Sequence, residues 1–326
     1  MKKRYILLLL FCLVLVGASA QTLEQAKAFY NKGQYEKAKP VFKKFVRTQP
    51  ANGNYNLWYG VCCLETGEPD VALKYLETAV KKRIPSGQLY LARNYNDLYR
   101  FEDAIKCYEE YISDLSKRKR STAEAEKLLE KSKTNLRMLK GIEEVCIIDS
   151  IVVDKDRFLE AYKISPESGK LFTYNDFFQN KEEVEATVYE TELGNKIYYG
   201  ERQSDGKLSI LARNTMQGEW SKGSLLPGSI NDSINANYPY VLTDGATIYY
   251  AADGENSIGG YDIFVTRYNT NTNTYLTPEN VGMPFNSPYN DYMFAIDEFN
   301  NLGWFASDRY QPEGKVCIYV FIPNSS

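Results

Sequence analysis

The sequence contains no histidine, and this absence removes several kinds of chemistry at once. Histidine is the commonest general base and a frequent zinc ligand, and it completes the Ser-His and Cys-His nucleophile arrangements. The glycine-rich patterns GxxxxGK[ST] and GxGxxG and the hydrolase pattern GxSxG are also missing. The sequence therefore favours a protein that is not an enzyme and that needs neither a cofactor nor a metal.

An excess of basic residues is lacking too. The formal net charge is −3, and it becomes more negative when the basic residues of the first few positions are discounted. A nucleic-acid-binding protein usually concentrates positive charge to meet the phosphates. We therefore expect no nucleic-acid partner.

Long apolar runs are scarce, and the one from Tyr5 to Val16 is too short to span a bilayer. It follows a basic start and precedes the small-residue stretch Gly17–Ala20, which predicts a secretory signal peptide over residues 1–20, cut before Gln21. A lipid anchor on Cys12 is less favoured, since Phe11 stands where a lipobox needs a small residue. We expect an exported protein with no transmembrane segment, in the periplasm or on the periplasmic face of the outer membrane, with peripheral membrane association left open.

Residues 21–142 are rich in Ala, Leu, Glu and Lys and contain a repeat. A unit that begins at Gly33 recurs 34 residues later at Gly67, and a third unit follows about 32 residues after the second. Each has a small residue where paired helices approach, followed four positions on by a large one: Ala38 and Phe42, Ala72 and Leu76, Ala104 and Tyr108. The pattern resembles the tetratricopeptide repeat. It predicts an α-solenoid of three helix pairs, with a capping helix over residues 121–139.

Residues 143–326 turn to Tyr, Val, Ile, Asn and Gly, which favours an antiparallel β domain. The stretches Tyr249–Asp253, Gly259–Val265 and Ala306–Arg309 resemble the TolB-type, WD-like propeller repeat, which implies a β-propeller-like domain. Two repeats are clear, a third near Tyr189–Leu211 is weaker, and residues 163–178 are a candidate fourth. The whole α plus β, two-domain chain is similar to periplasmic and outer-membrane-associated proteins of the Bacteroidota. Many of those end in an OmpA-type domain, which we do not expect here.

Five cysteines remain after the signal peptide, and an odd number cannot form a closed disulfide framework. If the strands around Cys146 and Cys317 shared one blade and joined the ends of the β domain, these two residues would be able to form a disulfide. Two separate thiols are the alternative. Cys62, Cys63 and Cys107 lie on predicted helices and are expected to be buried thiols.

Two short segments invite a binding interpretation. The loop that begins at Asp253 and ends near Asp262 is rich in oxygen ligands, but its spacing differs from that of an EF-hand, and a hairpin turn explains the same residues. The basic run Lys117–Arg120 is interpreted as a solvated connector, with an acidic partner or an anionic membrane surface as the alternative.

The preferred function is a non-catalytic scaffold or adaptor that binds other proteins of the cell envelope. Stacked helix pairs form a groove that can hold a peptide or helix. Polar or aromatic residues on the first helix of a pair are the candidate partner-binding positions: Asn56, Tyr59, Gln88, Arg93 and Asn96.

Two alternatives place the function in the β domain. A glycan-binding protein would stack sugars on tyrosine rings such as Tyr198, Tyr199, Tyr249 and Tyr250. A glycoside hydrolase would pair two carboxylates, for which Asp244, Asp253 and Asp308 are candidates.

Overall fold

The computed structural model describes residues 22–142, 144–180 and 184–324. The chain forms two compact units that divide between Glu126 and Lys127. The predicted signal peptide lies outside the described residues. Among the helices that are described, none combines the length and the apolar character that crossing a bilayer requires.

From residue 22 onward the first unit contains three helix hairpins, and each loop between the helices is short. The helices are α1 (Leu23–Asn31), α2 (Tyr35–Thr48), α3 (Gly53–Glu65), α4 (Pro69–Lys81), α5 (Gly87–Asp97) and α6 (Phe101–Lys117). A further helix, α7 (Ala123–Lys140), crosses the division between the units, and most of it belongs to the second.

Local signals set these helix boundaries. Thr22 and Gln25 form a capping box at the start of α1, and the side chain of Asn52 caps α3. Gly33 and Gly67 follow α1 and α3 with positive φ angles of 71° and 75°, a left-handed conformation that suits glycine after a helix end. The third hairpin has the same left-handed turn at Tyr99, where φ is 58°, so the glycine marks the repeat in the sequence for the first two hairpins.

The core of the arm follows the predicted small-and-large pattern. The three alanines of the pattern, Ala38, Ala72 and Ala104, are fully buried, as are Phe42 and Leu76. Gly60, on the first helix of the second pair, also allows the two helices of a pair to approach closely. A Cβ there would lie 2.9 Å from the side chain of Leu76, so α3 and α4 pack more closely than any larger residue would allow.

The second unit is built from antiparallel strands. Their bounds are β1 (Cys146–Asp154), β2 (Lys170–Thr173), β3 (Thr187–Glu190), β4 (Lys196–Arg202), β5 (Leu208–Met216), β6 (Glu219–Trp220), β7 (Ser224–Leu225), β8 (Asn235–Val241), β9 (Thr247–Asp253), β10 (Asp262–Asn269), β11 (Thr274–Tyr275), β12 (Glu279–Asn280), β13 (Asp291–Asp297), β14 (Leu302–Ser307) and β15 (Lys315–Ile322). A short helix, α8 (Tyr174–Phe178), follows β2.

In the described residues these strands form three sheets. The first has the order β2-β3-β4-β5-β6, with β7 also paired to β5; the second has the order β11-β10-β9-β8, with β12 paired to β10. The third has the order β1-β15-β14-β13. The candidate fourth repeat at residues 163–178 does not form a sheet of its own, because β2 pairs with β3 and extends the first sheet.

Tyrosine hydroxyl groups bond to strand β13 of the third sheet, from Tyr162 in the segment between β1 and β2 and from Tyr240 on β8 of the second sheet. Tyr162 donates a hydrogen bond to the carbonyl oxygen of Met293 at 2.6 Å, and Tyr240 donates to that of Ile296 at 2.6 Å. The carboxylate of Asp297 accepts hydrogen bonds from Ser165. Burial alone would raise the pKa of Asp297, but hydrogen bonds from Ser165 and neighbouring donors lower it to about 2.

The two ends of the β unit share a sheet, which was the condition for a disulfide between Cys146 and Cys317, but the structure has the alternative, two separate thiols. The pairing places Cys146 opposite Ile322 and Cys317 opposite Val152, and both thiols are free. Five positions along β15 separate the two sites, about 16 Å at the rise of a strand, whereas a disulfide requires Cα atoms within about 7 Å. Pairing in one sheet does not by itself place the two cysteines opposite each other, and a disulfide requires that position.

A candidate interaction surface on the repeat arm

Six side chains of the repeat arm lie together. We call them the arm cluster: Tyr30, Tyr35, Glu65, Tyr90, Arg93 and Asp97. They come from α1, α3 and α5, plus the first residue of α2. Helix stacking therefore gathers onto one surface residues that are far apart in the sequence.

The aromatic part of the cluster is half-buried and hydrogen-bonded. The rings of Tyr30 and Tyr35 meet edge to face with centroids 5.5 Å apart. Burial raises the pKa of Tyr30, and so does a hydrogen bond with Tyr90. The guanidinium of Arg93 lies over the Tyr90 ring, 5.4 Å from its centroid. This part of the surface offers both ring faces and hydroxyl groups.

The charged part combines one cation, Arg93, with two carboxylates, Glu65 and Asp97. Nη1 of Arg93 lies 2.8 Å from Oε1 of Glu65. Burial alone would lower the pKa of Arg93, but the charge of Glu65 raises it. Burial raises the pKa of Asp97 to about 7, with a further increase from Glu65 and an opposing effect from Arg93. Glu65 forms the direct ion pair with Arg93. The charge of Arg93 therefore compensates the negative charge of Asp97 only in part.

The predicted groove residues differ in burial and in their hydrogen-bond partners. Asn56 is buried, and its side-chain amide donates to the carbonyl oxygens of Pro50 and Asn52, so it stabilises its own helix start rather than facing a partner. Tyr59 is also buried, with its ring 4.7 Å from that of Tyr75. For these two positions the expectation of an open groove was wrong.

The other three predicted positions are less buried. Gln88 donates to the carboxylate of Glu110, and Asn96 lies 3.4 Å from the hydroxyl of Tyr108. Arg93 belongs to the arm cluster. A signal for the cluster was present in the sequence, since Glu65 and Asp97 are 32 residues apart, as are Ala72 and Ala104, and so occupy the same position of consecutive repeats.

Comparison with known proteins confirms the repeat. Residues 23–88 match the family Tetratricopeptide repeat, which covers α1 to α4 and the start of α5. A solved structure, the crystal structure of PcrH in complex with the chaperone binding region of PopD, is 20% identical with a TM-score of 0.29; the match covers 39% of this chain and 97% of that chain. No curated protein matches the sequence.

In the β unit, the tyrosines that the glycan-binding alternative names are mostly core residues. Tyr198, Tyr199 and Tyr250 are at most 2% exposed. Tyr249 is less buried, but its ring packs against that of Phe294 with centroids 4.5 Å apart. These rings contribute packing area and leave little aromatic face for a glycan.

The carboxylates proposed for hydrolysis hold the β unit together. Asp253 accepts hydrogen bonds from the backbone and side-chain N–H groups of Asn235, and Asp308 does the same for Asn290. Asp244 accepts from two backbone N–H groups of its own turn. Each carboxylate thus has a structural role in its own loop or sheet.

The loop after Asp253 is organised by the same kind of contact. Asp262 is fully buried, and it accepts hydrogen bonds from the backbone of Ile258 and Gly259 and from the side chain of Asn280. Across the described part of the chain, no group of three or more His, Cys, Asp or Glu side chains is placed to hold a metal. The turn interpretation accounts for this loop.

A cavity of about 870 Å³ opens on the second unit. Two ion pairs involve charged side chains of its wall: Nζ of Lys155 lies 2.7 Å from Glu185, and Asp154 lies 2.6 Å from Lys315.

Proposed function

We propose that the protein is a non-catalytic scaffold in an exported cell-envelope assembly, and that its tetratricopeptide arm binds a partner protein through the arm cluster. The observation that carries this proposal is the convergence of three tyrosines, an arginine and two carboxylates from three stacked hairpins. Aromatic and arginine side chains are the groups most enriched at protein-binding hot spots.

The chemistry of the cluster indicates what the partner segment carries. Tyr30 and Tyr35 offer a partly buried aromatic surface for an apolar side chain. Asp97 offers a carboxylate whose pKa of about 7 reflects its burial and incomplete compensation. A lysine or arginine of the partner would supply the missing positive charge, so we infer a segment that combines an apolar and a basic residue.

The second unit is proposed to be a minimal propeller of three blades. Each blade would be a run of consecutive antiparallel strands: β3 to β5 with β7, β8 to β10 with β12, and β13 to β15 with β1. The pairing of β1 with β15 supports this proposal, since it joins the two ends of the unit in one sheet. Such a unit would present a second rigid surface to the assembly.

Export to the periplasm is part of the proposal and depends on the basic and apolar start of the sequence. The expected partners are other envelope proteins. Fractionation of cells that express the full chain with a C-terminal tag tests this part, and a cytoplasmic product that retains residues 1–20 would contradict it.

The binding proposal is tested by affinity purification of the tagged protein from envelope extracts, followed by mass spectrometry. Partners retained by the wild-type chain should be lost with Asp97→Lys and weakened with the isosteric Asp97→Asn. Asp114→Lys makes the same charge change on α6, outside the cluster, and should keep them. Circular dichroism checks that each variant is folded, and equal recovery of partners by all variants would refute the assignment of the surface.

A further inference from the structure

The strand β1 is the outer edge of the third sheet. In the part of the chain that is described, it pairs only with β15, and its other side is open. Ile148, Ile151 and Val152 are 51%, 41% and 55% exposed. Ile147, at 43%, is exposed as well. Isoleucine and valine are among the residues most often buried, so an edge with four of them exposed is unusual for a surface that meets only water.

Strand geometry identifies which backbone groups face outward. The N–H group of Lys155 donates to the carbonyl oxygen of Gly314, on the β15 side. Because the backbone groups of successive residues alternate in direction along an antiparallel strand, those of Asp154, Val152 and Ser150 point away from β15. The N–H group of Ser150 accordingly bonds to the side chain of Asp149 instead of to a strand.

This edge has few of the features that usually prevent pairing. Soluble proteins protect open edges with lysine, proline or a strong bulge. From Cys146 to Asp154 the sequence CIIDSIVVD has no basic residue and no proline, and its one bulge lies near the start, at Ile148. The segment from Asp149 onward is regular and open to a further strand.

We propose that β1 pairs with β1 of a second copy of this chain, antiparallel and centred on Val152. In this register Val152 faces Val152 of the second copy, and Ile151 faces Val153. Ser150 faces Asp154, and Asp149 faces Lys155. Two such strands exchange up to about six backbone hydrogen bonds, and the arrangement has the two-fold symmetry typical of homodimers.

The segment DSIVVDK, residues 149–155, is self-complementary in charge as well as in shape. No carboxylate of one strand faces a carboxylate of the other. Lys155 already contacts Glu185 at 2.7 Å, and its side chain remains 35% exposed, so the carboxylate of Asp149 from the second copy can join that ion pair. Opposite charges and β-branched residues that face each other across strands are favourable pairs.

This inference does not depend on the proposed function of the arm, because it concerns a strand of the second unit. A partner strand from another protein would satisfy the same backbone groups. The self-complementary register favours a second copy, and it makes a prediction that a foreign strand does not: residue 152 faces itself.

A charge-swap experiment uses that property. The full mature chain is measured by sedimentation equilibrium from about 1 µM to about 1 mM, the range of weak specific association. Val152→Lys and Val152→Asp should each weaken dimerisation about tenfold or more, since each places like charges opposite one another. An equimolar mixture of the two variants should restore association. Leu193→Lys, at a turn residue that is 75% exposed, is the matched control and should dimerise like the wild type.

Cysteine cross-linking checks the register in a Cys146→Ser background. Val152→Cys brings two Cα atoms to about 5.5 Å, within the range of a disulfide, so mild oxidation should give a covalent dimer. Ser150→Cys lies on the same face, but the two copies would be about 13 Å apart and should not cross-link. A wild-type chain that stays monomeric throughout, a mixture of charge variants that does not associate, or equal cross-linking at both positions would each overturn the proposal.

Discussion

Replacing Arg309 with glutamine removes the guanidinium that lies 2.6 Å from the carboxylate of Asp291. The side chain of Asp291 is completely buried, and that of Arg309 is 12% exposed. Arg309 also donates to the carbonyl oxygens of Pro284 and Phe285, so the substitution leaves several buried acceptors without a donor. Removing one partner of a buried ion pair costs about 3–5 kcal/mol. We expect Arg309→Gln to lower the free energy of unfolding of the β unit by an amount in that range at neutral pH.

The effect should depend on pH in a defined direction. Burial raises the pKa of Asp291 above its ordinary value, and the charge of Arg309 opposes that increase. Without Arg309 the pKa rises further, so the folded state binds a proton that the unfolded state releases. Stability from this proton is fully present below the unfolded pKa, about 3.9, and is lost as pH rises through the folded pKa. The loss in free energy of unfolding caused by Arg309→Gln should therefore be smaller in acid and larger toward neutral pH.

Denaturant titrations followed by tryptophan fluorescence measure this change. Trp58 lies in the arm, so a Trp58→Phe background leaves Trp220 and Trp304 to report on the β unit. Arg157→Gln is the matched control, because Arg157 forms a similar pair with Glu160 on the surface, where both side chains are more than 60% exposed. If Arg309→Gln unfolds like Arg157→Gln, or if its deficit does not change with pH, the assignment of a buried ion pair is refuted.

Two other measurements test the arm and the thiols. The raised pKa of Asp97, about 7, implies stability that is present in acid and lost as pH rises through that value, so the arm should melt at lower temperature at about pH 8 than at about pH 5, and Asp97→Asn should flatten this dependence. Alkylation of the native chain followed by mass spectrometry should label the exposed Cys146 first. The remaining thiols are buried and should react only on unfolding: Cys62, Cys63, Cys107 and Cys317. Early labelling of any of these four would contradict the packing.

The helix repeat was predictable because its physical cause is local. Close packing of paired helices requires a small residue at one position, and Ala38, Ala72 and Ala104 recur there at nearly constant spacing. The surface that the repeats create was only partly predictable. Arg93 was selected because it is polar and lies on a first helix, but Asn56 satisfies the same rule and is buried against Pro50. Residue type and helix assignment do not determine which polar side chain satisfies the backbone of its own helix.

In the β unit, similarity between segments predicted which strands belong together but not their register. The strands around Cys146 and Cys317 do pair, yet the register places Val152 opposite Cys317 and leaves Cys146 five positions further along β15, opposite Ile322. A shift of register exchanges every opposed pair along two strands, so a prediction that depends on one pair is far more fragile than a prediction of the sheet.

The acidic residues at strand ends show how one signal can have two meanings. Asp253 and Asp308 end equivalent strands, and each binds the asparagine that precedes or begins the neighbouring strand, Asn235 or Asn290. In the sequence, a recurring aspartate resembles a ligand-binding or catalytic position. In the structure, it recurs because the same contact between the end of one strand and the start of its neighbour is repeated. In the first sheet the equivalent position is Arg202, which donates to the carbonyl oxygen of Gly206 in its own hairpin and forms no such clamp. The repeat that lacks the clamp is also the one whose sequence signal is weakest, so the recurring aspartates and the strand connection that they hold occur together in this chain.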